Sequence, residues 1–184
     1  MVKKTLKKRG KIIYAKSRRI RKQRKAKAKR KSVGTAKRTS GGTVTPLEVY
    51  YDTTLIKNNE DLTGKSFLYN QIPSIKYSSS DEKTFLITMT DPDAPSGVLW
   101  PHYVITIKNN TIKKIVYPYH PPTPPPNTGV HHYIFNAYIY NKEEDEAKLN
   151  NKENLTGDAY YKQVLEPVIK NKGSYAKIQF TLKA

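Results

Sequence analysis

The sequence predicts a mainly β fold, an antiparallel β-sandwich with one or two short helices, preceded by a basic N-terminal arm that is disordered or helical. Three observations carry that prediction. Runs of strand length, rich in Ile, Val, Thr, Tyr and Phe, recur from Leu47 onward between clusters of Pro, Gly, Asn and Ser. Helical patterns are few, and 12 prolines interrupt the chain. Charge is segregated: residues 1–40 hold 19 of the 34 Lys and Arg and none of the 15 Asp and Glu, so the rest of the chain is balanced. Residues 1–42 therefore read as arm and hinge, and residues 43–184 as one domain.

The densest part of the arm contains Arg18, Arg19, Arg21, Lys22, Arg24, Lys25, Lys29, Arg30 and Lys31, with only Ile12, Ile13, Tyr14 and Ile20 to bury. Repulsion among like charges opposes folding in isolation. No proline interrupts residues 11–31, so a helix can form once an anionic surface neutralises the charge. Nucleic acid, an anionic membrane surface and a nuclear-import receptor all fit as partners of residues 1–40. Few aromatics interleave with the charges, which favours sequence-independent phosphate contacts over base stacking. Thr39-Ser40-Gly41-Gly42 forms the hinge.

In the domain, Leu47–Tyr51 alternates as a first strand, and Asn58–Gly64 reads as a loop. Ser66–Tyr69 and Ile75–Tyr77 read as weaker extended segments around Pro73, and Ser78–Asp81 as a turn. Phe85–Thr90 is the strongest strand, and it stops at Asp91-Pro92-Asp93-Ala94-Pro95-Ser96, where the prolines remove donors and stiffen the loop. Trp100-Pro101-His102 introduces the strand Tyr103–Ile107. Asn109-Asn110 suits a tight turn with positive φ, and Ile112–Tyr117 is the return strand. Pro118–Asn127 is irregular and extended, and Val130–Tyr140 is a third long strand. Asn141–Gly157 reads as an exposed polar excursion. Asp158 is expected to cap a short helix through Glu166, limited by Pro167, before a final strand over Tyr175–Leu182.

Cysteine is absent, which excludes disulfides, zinc–thiolate sites and thiol nucleophiles. No apolar run reaches the roughly 18–20 residues needed to span a bilayer, and no hydrophobic segment follows the N-terminal charges as in a secretory signal. These features fit an intracellular protein, cytoplasmic or nuclear, or a virion component if the source is a virus.

All four histidines, His102, His120, His131 and His132, lie just downstream of the aspartate loop. Asp91 ends one strand while His102 and His131 open two others, so in a shared sheet these ends converge at one rim. A carboxylate there orients an imidazole, and imidazole N–H groups with the Tyr133 hydroxyl offer donors to an anion such as phosphate. On a strand His132 faces away from His131. His120, set among prolines, is expected to be exposed loop.

Asp91-Pro92-Asp93-Ala94-Pro95-Ser96, then Trp100-Pro101-His102, then Gly129-Val130-His131-His132-Tyr133, resembles the phosphatidylethanolamine-binding protein family over roughly residues 45–182. The family includes the Raf kinase inhibitor proteins and plant flowering regulators. The resemblance implies a sandwich with a small anion-binding pocket formed by Asp91, His102, His131 and Tyr133, with Pro125 at its wall and Asp93 orienting the loop or a histidine. His132 stands where the family usually has arginine. Pro122-Thr123-Pro124-Pro125 replaces a glycine-containing segment, which implies a stiffer or narrower mouth. The chain ends at its last strand, without the C-terminal helix that shields the site in some members, so a more open pocket is expected.

The expected function is binding without catalysis, cofactor or metal, the guest being a phosphate-bearing small ligand or a phosphoprotein segment. Two alternatives stand beside it. Asp91, Asp93, His102 and His131 have donor types suited to a divalent metal or general acid–base hydrolysis, but no serine nucleophile sits beside the histidines. The other alternative is a nucleic-acid-binding structural or packaging protein with a vestigial pocket.

Overall fold

The computed structural model describes residues 44–150 and 154–184, so the basic arm and hinge expected over residues 1–42 lie outside the described residues. In chain order the elements are β1 (Glu48–Tyr51), β2 (Thr54–Leu55), β3 (Glu60–Asp61), α1 (Ser66–Tyr69), β4 (Ser74–Lys76), β5 (Phe85–Asp91), β6 (Trp100–Lys108), β7 (Thr111–Tyr117), β8 (Val130–Ile139), α2 (Lys142–Leu149), α3 (Gly157–Tyr160), a π turn (Tyr161–Leu165), α4 (Glu166–Ile169) and β9 (Ala176–Lys183).

Six strands form one sheet in the order β3-β9-β8-β5-β6-β7, and β2-β1-β4 form a smaller one. All pairings are antiparallel except β3 with β9, which is parallel. β5 is buried at every position because both faces of the large sheet are covered. Phe85, Ile87 and Met89 face the small sheet and join Val49, Tyr51, Ile75, Phe135 and Phe180 in the main core. Leu86 faces the other way and packs with Val104, Val164, Leu165 and Val168 beneath the helices. The alternation of a two-sided buried strand is thus split between two cores. The β6–β7 hairpin turns through Asn109 and Asn110 at φ 48° and 59°, the left-handed pair a two-residue turn needs.

Four segments depart from the sequence reading: Glu60–Asp61, inside the Asn58–Gly64 stretch read as a loop, is the short strand β3 paired with β9, and three others follow. Ser66–Tyr69 is a single helical turn, not an extended segment. Only Leu68 of the four is buried, so one turn sinks it while Phe67 stays exposed, which a paired strand would not achieve as economically. Within Asn141–Gly157, read as an exposed polar excursion, Lys142–Leu149 is helical: Asn141 caps it by accepting the Glu143 N–H, and Glu143, Glu144 and Asp145 suit its positive end. Buried Asp145 also accepts the Asn141 N–H and pairs with Lys172, tying α2 to the segment before β9. The last helical run begins at Gly157 after Thr156, so Asp158 lies in its first turn and does not cap it. That run continues past Pro167 to Ile169, widening into the π turn just before the proline.

Gly157 has φ +51°, and a Cβ there would overlap the six-membered ring of Trp100. Gly157→Ala is expected to destabilise the fold by roughly 2 kcal/mol or more, from left-handed backbone strain plus displacement of the indole. Denaturant unfolding of the variant beside the parent checks this.

Candidate ligand-binding site

β5 runs antiparallel to both neighbours, so its C-terminal end lies between the N-terminal ends of β6 and β8. That register brings Asp91 beside Trp100 and Thr90 beside Ile134, next to the residues that open the two partner strands. On β8, His131 and Tyr133 share the inward face with Phe135 by simple alternation. β6 needs a local irregularity. Met89 pairs with Tyr103 and Thr90 with Pro101, so His102 is an extra residue in the ladder. The bulge carries the imidazole edge-on against the Tyr133 ring, with centroids 5.1 Å apart.

These ends open onto a cavity of about 430 Å³. Asp91, His102, His131 and Tyr133 supply its polar end, while Ala94, Pro95, Trp100, Tyr117, Pro121 and Pro125 contribute apolar wall. The volume falls within the range usual for small-ligand sites, ~300–1,000 Å³. The residues are deeply seated: Asp91 is 4% exposed, His102 6%, His131 0% and Tyr133 1%.

The hydrogen-bond pattern is specific. His131 donates Nδ1–H to Asp91 Oδ2 at 2.7 Å, and its Nε2 lies 2.7 Å from Thr128 Oγ1. The Thr128 hydroxyl also contacts the Pro125 carbonyl, which locks the proline segment to the histidine. Asp91 Oδ1 accepts the Asp93 N–H at 2.8 Å, a local bond that folds the loop back on the strand end. His102 donates Nδ1–H to the His120 carbonyl at 2.8 Å, and the His120 N–H returns a bond to the His102 carbonyl at 2.7 Å. Among the described residues, no hydrogen bond reaches His102 Nε2 or the Tyr133 hydroxyl.

Asp93 stands outside the cavity. Its Oδ2 accepts both the backbone N–H and the Nδ1–H of His132, each at 2.8 Å, clamping the loop to the outer face of β8. Burial works against ionisation of Asp93, but the His132 bonds outweigh it and hold the carboxyl below its ordinary value. Asp91, His102, Pro125, His131 and Tyr133 therefore gather around one cavity, whereas Asp93 supports it from behind.

Three contributors had weak signals in the sequence. Thr128 stands between the proline segment and Gly129 with no motif of its own. His120 is exposed, yet its backbone sets the His102 tautomer. Tyr117 lines the cavity from the end of a return strand, and its hydroxyl accepts the Gly157 N–H.

Burial lowers the pKa of His102 from 6.5, only partly offset by the His120 carbonyl and Asp91. The folded state thus resists protonation that the unfolded chain accepts. The stability this group contributes is complete above about pH 6.5 and is lost as pH falls below it. His102→Asn keeps a donor for the His120 carbonyl and removes the titration. Unfolding at pH 7 and pH 5 is expected to show a smaller loss of stability on acidification in His102→Asn than in the parent.

Comparison with known proteins places the fold. The family model described as phosphatidylethanolamine-binding protein matches residues 52–182. The fold is shared with the phosphatidylethanolamine-binding protein of Plasmodium vivax at TM-score 0.56 and 20% identity, covering 76% of this chain and 85% of that one. The Plasmodium falciparum protein gives TM-score 0.55 at 17% identity, covering 76% and 85%. A carboxypeptidase Y inhibitor, solved in complex with its cognate proteinase, gives 0.54 at 18%, covering 78% and 83%. With the match extending over most of the sequence, the chain belongs to the phosphatidylethanolamine-binding protein family.

Proposed function

We propose that the chain is a binding module whose cavity takes a small phosphate-bearing group: a lipid headgroup, a nucleotide or a phosphorylated side chain. The observation that carries this reading is the meeting of His102 and Tyr133 at the polar end of an otherwise largely apolar cavity, each with a polar atom left unbonded. Burial, with Asp91 nearby, pushes the Tyr133 pKa well up, so its hydroxyl stays a donor. The apolar wall leaves room for more than a phosphoryl group.

Binding is favoured over hydrolysis by the geometry. Both nitrogens of His131 are engaged, by Asp91 and Thr128, which leaves it no free position from which to move a proton. Asp93 is committed to His132, so the four candidate donors do not form one cluster.

The arm supplies a second, separable affinity. Its concentrated Lys and Arg suit a polyanion, nucleic acid above all, with the domain carried as cargo. This arm, and not the cavity, would make the protein nucleic-acid-binding.

Titration calorimetry with O-phosphorylethanolamine and inorganic phosphate tests the cavity. Tyr133→Phe is expected to weaken binding by about 1.5–3 kcal/mol, roughly 10- to 150-fold, the scale for a hydrogen bond to a charged group. Equal affinity in parent and variant would remove the site as drawn. For the arm, affinity for mixed-sequence duplex DNA is expected to fall by orders of magnitude between about 50 and 200 mM salt. It should vanish in a chain starting at Thr43, while the cavity's affinity for its ligand persists.

A further inference from the structure

Resting on the phosphate reading of the cavity, we propose that the guest is bound as a singly protonated phosphate monoester. Its P–OH donates to His102 Nε2, and a neighbouring phosphoryl oxygen accepts from the Tyr133 hydroxyl.

The placement of hydrogens at the polar end leads to this form of the guest. A carbonyl oxygen has none to give, so the His102–His120 contact requires the hydrogen on Nδ1. In the neutral ring Nε2 is then a lone pair, and it has no partner among the described residues. His131 cannot supply a hydrogen, because Asp91 and Thr128 already occupy its two nitrogens. Tyr133 is the complementary donor, and its ring stands edge-on to His102. The free pair at the polar end is therefore one acceptor and one donor, not two donors. A fully ionised phosphate presents only acceptors, and it would set an oxygen lone pair against that of Nε2.

Charge points the same way. No Lys or Arg among the described residues lines the cavity. The titratable groups facing His102 are Asp91, His131, Tyr133 and the His120 ring, and Asp91 is buried there, bonded to His131. A dianion entering would lose its water without meeting a Lys or Arg side chain, which is costly in a low-dielectric site. A monoanion carrying its own hydrogen faces a smaller charge penalty and satisfies the orphan acceptor. Burial also lowers the His102 pKa, so the ring is a poor place to store that proton.

The test uses methyl phosphate against methyl sulfate with the full-length protein. Both are monoanions near pH 5.5, but only the phosphate keeps a hydrogen, since its second pKa is near 6. Calorimetry from pH 5.5 to 8 is expected to show methyl phosphate binding at least about tenfold tighter than methyl sulfate at pH 5.5. Its affinity should then decline towards about tenfold per pH unit above pH 6, as the competent form is depleted. His102→Asn, which retains the donor to His120 but has no acceptor at the Nε2 position, should bring the two esters to similar affinity. Equal binding of both esters by the parent, or methyl phosphate affinity that rises with pH, overturns the inference. So does methyl sulfate affinity that climbs on acidification, because the proton would then sit on His102. Failure of methyl phosphate to bind at any pH overturns the phosphate reading itself.

Discussion

The Asp91–His131 hydrogen bond is the contact around which the rest of this domain's functional end is arranged. It joins the last residue of β5 to the second residue of β8, both nearly or wholly buried, at 2.7 Å. Neither group could stay there alone, since an uncompensated buried charge costs about 3–5 kcal/mol when its partner is removed. The remaining oxygen of Asp91 holds the loop through the Asp93 N–H, and the remaining nitrogen of His131 holds the proline segment through Thr128. Two irregular stretches with no ladder of their own are thereby pinned to the sheet by one pair of side chains. The cavity lies between those stretches.

Much of this was legible in the sequence because the long strands are unambiguous. Apolar and β-branched runs over Phe85–Thr90, Tyr103–Ile107 and Val130–Tyr140 leave little choice of structure, and Pro92 and Pro95 locate the end of β5. Once those strands share a sheet, antiparallel order alone carries Asp91 towards His131. The short elements were less legible for a physical reason. Ser66–Tyr69 and Lys142–Leu149 bury only one or two side chains each, so no periodicity reveals them. The capping Asn141 before α2 was the available signal, and it was outweighed by the polarity of Lys142–Lys148.

The chemical part of the site was harder to read than its location. Residue types suggested histidine N–H groups turned towards an anion. The bonds instead turn most of those hydrogens onto the protein's own acceptors: Asp91 for one histidine and the His120 carbonyl for the other. Such partners lie in backbone carbonyls and loop hydroxyls, which one-dimensional patterns do not encode. Asp93 and His132 show the same point from outside the cavity, where an exposed pair braces the loop without lining the pocket.

The extra residue in β6 has a consequence for how this strand can change over evolutionary time. His102 faces inward only because one residue is out of step with β5 between Met89 and Thr90. Side chains on either side of that offset can be exchanged while the ring keeps its aim. Shortening the segment by a single position would restore regular pairing and swing the imidazole to the opposite face of the sheet. The pocket is thus guarded more strictly against a one-residue deletion than against many substitutions, and length is the inherited quantity here.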